Sequence, residues 1–322
     1  MYQVHTKPIS EIVPVRGIDY HVLRWSPSEG ADGAQNIAPQ AKPSPQPPLV
    51  MMHGWMDVGA SFQFVADAFS MAFRQGRTLI APSWRGFGLS ESAQEHFWFP
   101  DYLADLEVLL DHYAPNTAVD LLGHSMGGNV VMMYAGIRPE RIRKLINLEG
   151  FGMPANTPEQ APQRFAQWLH ELQRVRQGEM ALKTYDNAQG VARRLMKTNP
   201  RLPEDKALWL AHQWARPIAA GPQAGQWEIL GSAAHKVVSA QLYRVEEVLE
   251  IWKQIVAPLL MVQASENEMS TWWKDRYTQA EFDQRIQVVP QVQHAKIDPA
   301  GHMLHHDQPQ QLATLIEDFL LA

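Results

Sequence analysis

The chain has no cysteine, which excludes disulfide bonds, thiolate metal sites and a cysteine nucleophile. It has no excess of positive charge: 28 Lys and Arg stand against 34 Asp and Glu, a net charge of −6. That leaves no basic footprint for nucleic acid and no polybasic reason to sit on an anionic membrane. It has no apolar run near the ~20 residues of a membrane span. The opening residues, Met1 to Pro8, lack the charged-then-apolar layout of a signal peptide. A soluble cytoplasmic protein is the default expectation. No internal repeat of 20 to 50 residues is present. What remains is a 322-residue chain with 45% hydrophobic and 19% charged residues, enough to bury a large core.

Read in order, the chain alternates short apolar runs with helical patterns. Ile9 to Val15 and Ile18 to Trp25 read as two strands around an Arg16-Gly17 turn. Pro27 to Pro48 is rich in Pro, Ala, Gln and Ser and reads as a long surface loop. Strands are expected at Leu49 to Met52, Arg77 to Ala81, Ala118 to Leu122, Arg143 to Leu148 and Pro258 to Val262. Further strand pieces are expected at Arg285 to Val289 and His294 to Ile297. Helices are expected at Ser61 to Phe73, Asp101 to Tyr113, Asn129 to Ala135, Gln241 to Gln254, Trp272 to Gln279 and Gln308 to Leu320. From about Pro154 to Ala234 the pattern is helical, with no evident strand. The expected fold class is α/β: a doubly wound, mostly parallel sheet built from residues 1–152 and 236–322, with an inserted helical cap at 153–235.

The chemistry centres on Gly123-His124-Ser125-Met126-Gly127-Gly128, between an apolar run and a helix. Strand, sharp turn, helix is the context of a nucleophile elbow, where glycines two before and two after the serine relieve a strained bend. The pattern G-x-S-x-G alone arises by chance in roughly one chain of this length in ten. Its neighbours decide its meaning. Trp55, Ser125, Glu149 and His302 each come after an expected strand, where ligands of open α/β sheets bind.

With His53-Gly54-Trp55, Arg85-Gly86-Phe87-Gly88-Leu89-Ser90, the serine turn and Ala300-Gly301-His302-Met303 in this order, the chain resembles the α/β-hydrolase family. The resemblance covers nearly the whole chain and places 153–235 where that family carries its lid. It implies acyl transfer: Ser125 attacks a carbonyl carbon, His302 shuttles the proton, and the backbone N–H groups of Trp55 and Met126 hold the oxyanion. The family's acid usually stands where this chain has Asn267. Glu266 or Glu268 beside it could serve instead. Glu149, 24 residues after the serine, is the favoured acid, since some members of the fold supply theirs from that strand end.

The expected reaction is hydrolysis of carboxylic esters by a serine hydrolase, on a small hydrophobic substrate. Three readings stand beside it: a carbon–carbon bond hydrolase of ring-cleavage products, a cofactor-free dioxygenase, and a hydrolase-fold receptor for a small ligand. No cofactor is implied. His302, His305 and His306 suggest a metal cluster, but without H-E-x-x-H or an obvious third ligand they read as one base and two structural histidines, so no metal is expected. His53 and His124 read as hydrogen-bonded structural residues. Ser83 stands where the family often has Asp, and no catalytic consequence is attached to it.

Overall fold

The computed structural model describes residues 1–27, 46–90 and 92–322. The loop expected from Pro27 to Pro48 therefore lies, apart from its ends, outside the described residues. Eight strands form one sheet: β1 (Ile9–Val15), β2 (Ile18–Trp25), β3 (Leu49–Met52), β4 (Leu79–Pro82), β5 (Val119–His124), β6 (Ile142–Leu148), β9 (Leu259–Ala264) and β10 (Val292–Ile297). Their order is β1-β2-β4-β3-β5-β6-β9-β10. Only β2 runs against the others, pairing antiparallel with both β1 and β4. The neighbours from β4 onward are all parallel. The β1–β2 hairpin turns at Arg16 and Gly17, both with positive φ, as the Arg-Gly pair suggests.

The helices are α1 (Gln63–Ala68), α2 (Met71–Arg74), α3 (Phe99–Tyr113), α4 (Met126–Ile137), α5 (Ala161–Arg176), α6 (Ala188–Thr198), α7 (Glu204–Trp214), α8 (Val245–Trp252), α9 (Met269–Trp273), α10 (Gln279–Ile286), α11 (Leu304–Asp307) and α12 (Pro309–Leu321). None is long and apolar enough to cross a membrane. One apolar cluster joins α3, α4 and α8 to the sheet through Leu106, Leu109, Val130, Val131 and Trp252. A second joins α1 and α12 through Val65, Leu312 and Ile316. The sheet is thus covered on both faces, which is why β3, β4 and β5 are buried along their whole length.

Strands β3 and β4 wind one way from the centre and β5, β6, β9 and β10 the other. The reversal lies between β3 and β5, and a crevice is expected outside their carboxyl ends. His53-Gly54-Trp55 leaves β3 there, and Ser125 leaves β5.

Four expectations about elements are corrected. The helix expected at Ser61 to Phe73 is a 3-10 turn (Gly59–Phe62) followed by α1 and α2. Phe69 is extended, and the Ser70 hydroxyl starts α2 by accepting from Phe73 N. The stretch 153–235 is not free of strands: β7 (Ala215–Pro217) and β8 (Trp227–Ile229) form an antiparallel pair too short to leave a periodic trace. The helix expected at Trp272 to Gln279 breaks at Lys274, whose φ is 51°. The strand expected at Arg285 to Val289 is instead the last residues of α10 and the turn that follows it: the Thr278 hydroxyl caps the helix by accepting from Glu281 N, and Arg285 lies over the Tyr277 ring.

Residues 153–235 hold α5, α6, α7 and the β7–β8 pair. Val191, Leu195, Ala207 and Leu210 form a small apolar cluster of their own, joined by Phe64 from α1.

Candidate active site

Ser125 has φ 52° and ψ −114°, a conformation that L residues rarely hold. Its N–H donates to Leu148 O at 2.8 Å, tying the turn to β6. The glycines around it are required by close approach. A Cβ on Gly123 would strike the Gly127 carbonyl, and one on Gly127 would strike the Met52 carbonyl. Met126 is the first residue of α4, so its N–H has no acceptor within the helix. Gly54 brings the Trp55 backbone alongside: a Cβ there would lie 3.1 Å from Ser125 Cβ. The Trp55 ring is half exposed, and its Nε1 donates to His235 O at 3.3 Å.

Glu149 leaves β6 with φ 57°. Asn147 brackets that turn: its Nδ2 donates to Gly150 O and its Oδ1 accepts from Gly150 N, both at 2.9 Å. The Glu149 carboxyl is buried. Oε1 accepts from Ala264 N at 2.7 Å, and Oε2 lies 3.4 Å from His302 Nδ1. Burial pushes this carboxyl up from its ordinary range, against the His302 contact and the Ala264 N–H, which pull it down. The ring of Trp272 stands edge-on to His302 at 4.3 Å.

The other candidate acids turn elsewhere. Glu266 is exposed and pairs with Arg201 at 2.5 Å. Asn267 Nδ2 donates to Gln279 Oε1 at 3.1 Å. Glu268 is exposed and acts on Glu149 only as a nearby like charge.

His124 links the turn at Ser125 to the loop of His302. Its Nε2 donates to the His302 carbonyl at 2.8 Å, and its ring lies 4.7 Å from the His302 ring. Among the described residues the Ser125 hydroxyl makes no hydrogen bond. Serine–histidine contacts of this kind are often loose until substrate enters.

The remaining motif residues brace the site. His53 is buried, with Nδ1 donating to Gly54 O and Nε2 accepting from Trp84 N. Burial lowers it to about 4, so it is neutral. Arg85 is buried in a two-pronged pair with Asp105, Nε and Nη2 each 2.5 Å from a carboxylate oxygen. Ser83 Oγ accepts from Gly59 N, a structural role.

Three further residues carry little signal in the sequence. Asn147 is one; a lone polar side chain in the run Leu145–Leu148 is its only signal. His235 is another: it stacks between Phe87 and Phe97 at 3.6 and 3.7 Å and donates to Arg85 O. Burial lowers it to about 3. The third is Asp57. It lies with His305 and His306, all buried, their ligand-type atoms within 4.8 Å of one another. The Ser61 hydroxyl sits between the two rings, 3.3 Å from His305 Nε2 and 2.5 Å from His306 Nε2. Asp57 Oδ1 accepts from Val58 N and from Trp214 Nε1. The group thus reads as a hydrogen-bonded knot around Ser61 that ties α7 to the base of the crevice.

Comparison with known proteins agrees with this architecture. A "Serine hydrolase-like protein" of Danio rerio is 23% identical over 292 residues, 86% of this chain and 82% of the relative. The "Serine hydrolase-like protein 2" of Homo sapiens is 23% identical over 286 residues, 85% of this chain and 87% of the relative. Among solved structures, a thioesterase domain from the curacin biosynthetic pathway superposes with a TM-score of 0.76 at 21% identity, covering 96% of this chain and 98% of that one. The family model described as "alpha/beta hydrolase fold" matches residues 47–309. With that match over most of its length, and the elbow, sheet order and strand-end residues in place, the chain belongs to the alpha/beta hydrolase fold family.

Proposed function

We propose that this protein is a serine hydrolase that cleaves carboxylic esters through an acyl-enzyme on Ser125. Ser125 Oγ attacks the ester carbonyl carbon while His302 takes the hydroxyl proton. The carbonyl oxygen becomes an oxyanion held by the N–H groups of Met126 and Trp55, each donor worth about 3 kcal/mol of barrier. The C–O bond to the alcohol then breaks, and His302 returns the proton to the leaving oxygen. Water repeats the sequence on the acyl-enzyme and releases the acid.

Glu149 serves as the third member. A buried carboxyl that alone would resist ionisation is stabilised when the adjacent imidazole gains a proton, so its benefit falls on the transition state rather than on resting enzyme. The observation that carries the reading is the Glu149–His302 contact beside a serine held on a positive-φ elbow. Residues 153–235 act as a cap over this site. The rings of Trp55 and Trp272 and the thioether of Met126 favour a hydrophobic acyl or alcohol group.

The test is hydrolysis of p-nitrophenyl esters of graded acyl length, with fluorophosphonate labelling and Ser125→Ala as the blank. Turnover and labelling should both vanish in Ser125→Ala. Equal rates in the two proteins would overturn the assignment. Faster turnover of a vinylogous diketone than of any ester would move the chemistry to carbon–carbon cleavage on the same residues.

A further inference from the structure

We propose that His124, the residue before the nucleophile, is a positioning residue that holds the catalytic base by its backbone. This inference rests on the hydrolase reading above.

His124 is fully buried, and burial together with His305 and His302 lowers it well below the ordinary imidazole range, so the ring is neutral. Its Nε2 faces the His302 carbonyl at 2.8 Å. A carbonyl can only accept, so the proton sits on Nε2 and Nδ1 carries a bare lone pair. That Nδ1 has no partner among the described residues. It packs against Gly54, where a Cβ would come within 2.9 Å of it. A buried polar atom without a partner weakens folding, and a phenylalanine would avoid that loss. The bond on the other side of the ring gives a reason for a histidine here.

The restraints on the base support this. The His302 ring has a long contact to Glu149 at 3.4 Å and an edge contact to Trp272. The loop around it is anchored at Ala300, whose N–H donates to Ser265 Oγ and whose carbonyl accepts from Glu266 N, and at Gly301, whose N–H donates to Asp307 Oδ2. The His302 carbonyl is held by His124. Because His124 is bonded directly to Ser125, this hydrogen bond sets the base loop at a fixed distance from the nucleophile. The same ring touches the strand-end glycine that precedes the oxyanion donor Trp55. One side chain therefore registers three separate loops against each other. Misplacement of reacting groups by about 1 Å can cost on the order of 100-fold in rate.

The experiment compares His124→Phe, His124→Gln and His124→Asn with wild type on one p-nitrophenyl ester, alongside the rate of fluorophosphonate labelling. Glutamine can place an N–H donor where Nε2 stands; asparagine can place one only near Nδ1. In His124→Phe, kcat and labelling should fall about 30-fold or more while KM stays within about threefold, the split expected when an interaction acts on the transition state. His124→Gln should recover at least about tenfold of that loss, and His124→Asn should not. If His124→Phe does not fold, the glutamine and asparagine variants decide alone. Wild-type kcat in His124→Phe, or equal rates in the glutamine and asparagine variants, overturns the proposal. A wild-type protein that neither labels nor turns over esters overturns the hydrolase reading as well, whereas an active wild type with an indifferent position 124 overturns only this one.

Discussion

Strand β5 and helix α5 differ sharply in how far they are buried. All six residues of β5 are buried, and the strand leads directly into a serine whose backbone is held off its ordinary conformation. Of the sixteen residues of α5 only Leu172 is buried, and Phe165 and Leu169 stand exposed. The first region tolerates almost no change of shape; the second has few neighbours to offend. The contrast teaches where the protein keeps its precision. The residues proposed to react sit at strand ends, while α5, in the stretch proposed as a cap, is loosely packed.

Substitutions on the buried and the exposed side put that difference to the test. The largest effect is expected at Gly127. Alanine in a helix normally improves on glycine by about 0.5–1 kcal/mol. Here its methyl would strike the Met52 carbonyl, so Gly127→Ala should cost at least about 3 kcal/mol in urea unfolding. Gly178, which follows α5 with φ 74° and open space around it, should lose only about 1 kcal/mol on the same change. Equal losses at the two sites would remove the distinction. Next comes Glu149→Gln, expected to lower kcat about 100-fold or more, or about 2.7 kcal/mol of barrier, with the fold intact. Glu268→Gln should change it less than about threefold. If only the second substitution disables turnover, the acid has been misassigned.

How much of this was legible in the sequence follows the same division. The β1–β2 hairpin, β3, the serine turn and the strand-end positions of Glu149 and His302 were readable because each is fixed locally, by alternation, by glycine or by an apolar run bounded by a turn. The strand pair β7–β8 was not, because three residues leave no period to detect. The break at Ser70 leaves no trace because helical spacing continues across it. The stretch at and after the end of α10 reads as a strand because Ile286, Val288 and Val289 are apolar and β-branched, while the Thr278 cap that decides the matter lies seven residues before Arg285. Asp57 and His305 meet only after the chain has closed, being 248 residues apart in the sequence. The place of Glu149 beside His302 was expected from strand order, but the Asn147 bracket that aims it was not.

A smaller effect should appear with pH, again on the rigid side. His53 and His235 are held neutral by burial, at about 4 and about 3. The unfolded chain protonates its histidines near 6.5. Their stabilising contribution is complete above pH 6.5 and declines as the pH falls toward those folded values. Asp57, held at about 2 despite its burial by His305 and the neighbouring histidines, adds a loss only below about pH 3.8. Glu149 acts oppositely: its raised carboxyl favours the folded state in acid, a benefit that fades as pH rises past the unfolded 4.5. One such group is outweighed over the window from 6.5 to 4 by His53 and His235 together with His124 and His306, which burial also lowers. The melting temperature should therefore fall by several degrees between pH 7.5 and pH 5 in calorimetry, and a level profile would show that these imidazoles are solvated.

The least effect on stability, and the sharpest test of the exposed side, belongs to Phe165 and Leu169. They are 49% and 60% exposed and lie one helical turn apart on the same face of α5. Nothing in the core depends on them, so Phe165→Ser with Leu169→Ser should leave unfolding free energy within about 0.5 kcal/mol of wild type. If α5 is part of a cap that meets the acyl chain, its exposed face does its work only when substrate is present. KM for a long-chain ester should then rise about threefold or more, each buried methylene being worth about 0.8 kcal/mol, while an acetate ester is turned over as before. An unchanged KM at every chain length would reduce this face to ordinary surface and leave the choice of substrate to residues that line the crevice itself, Trp55 and Trp272 first among them.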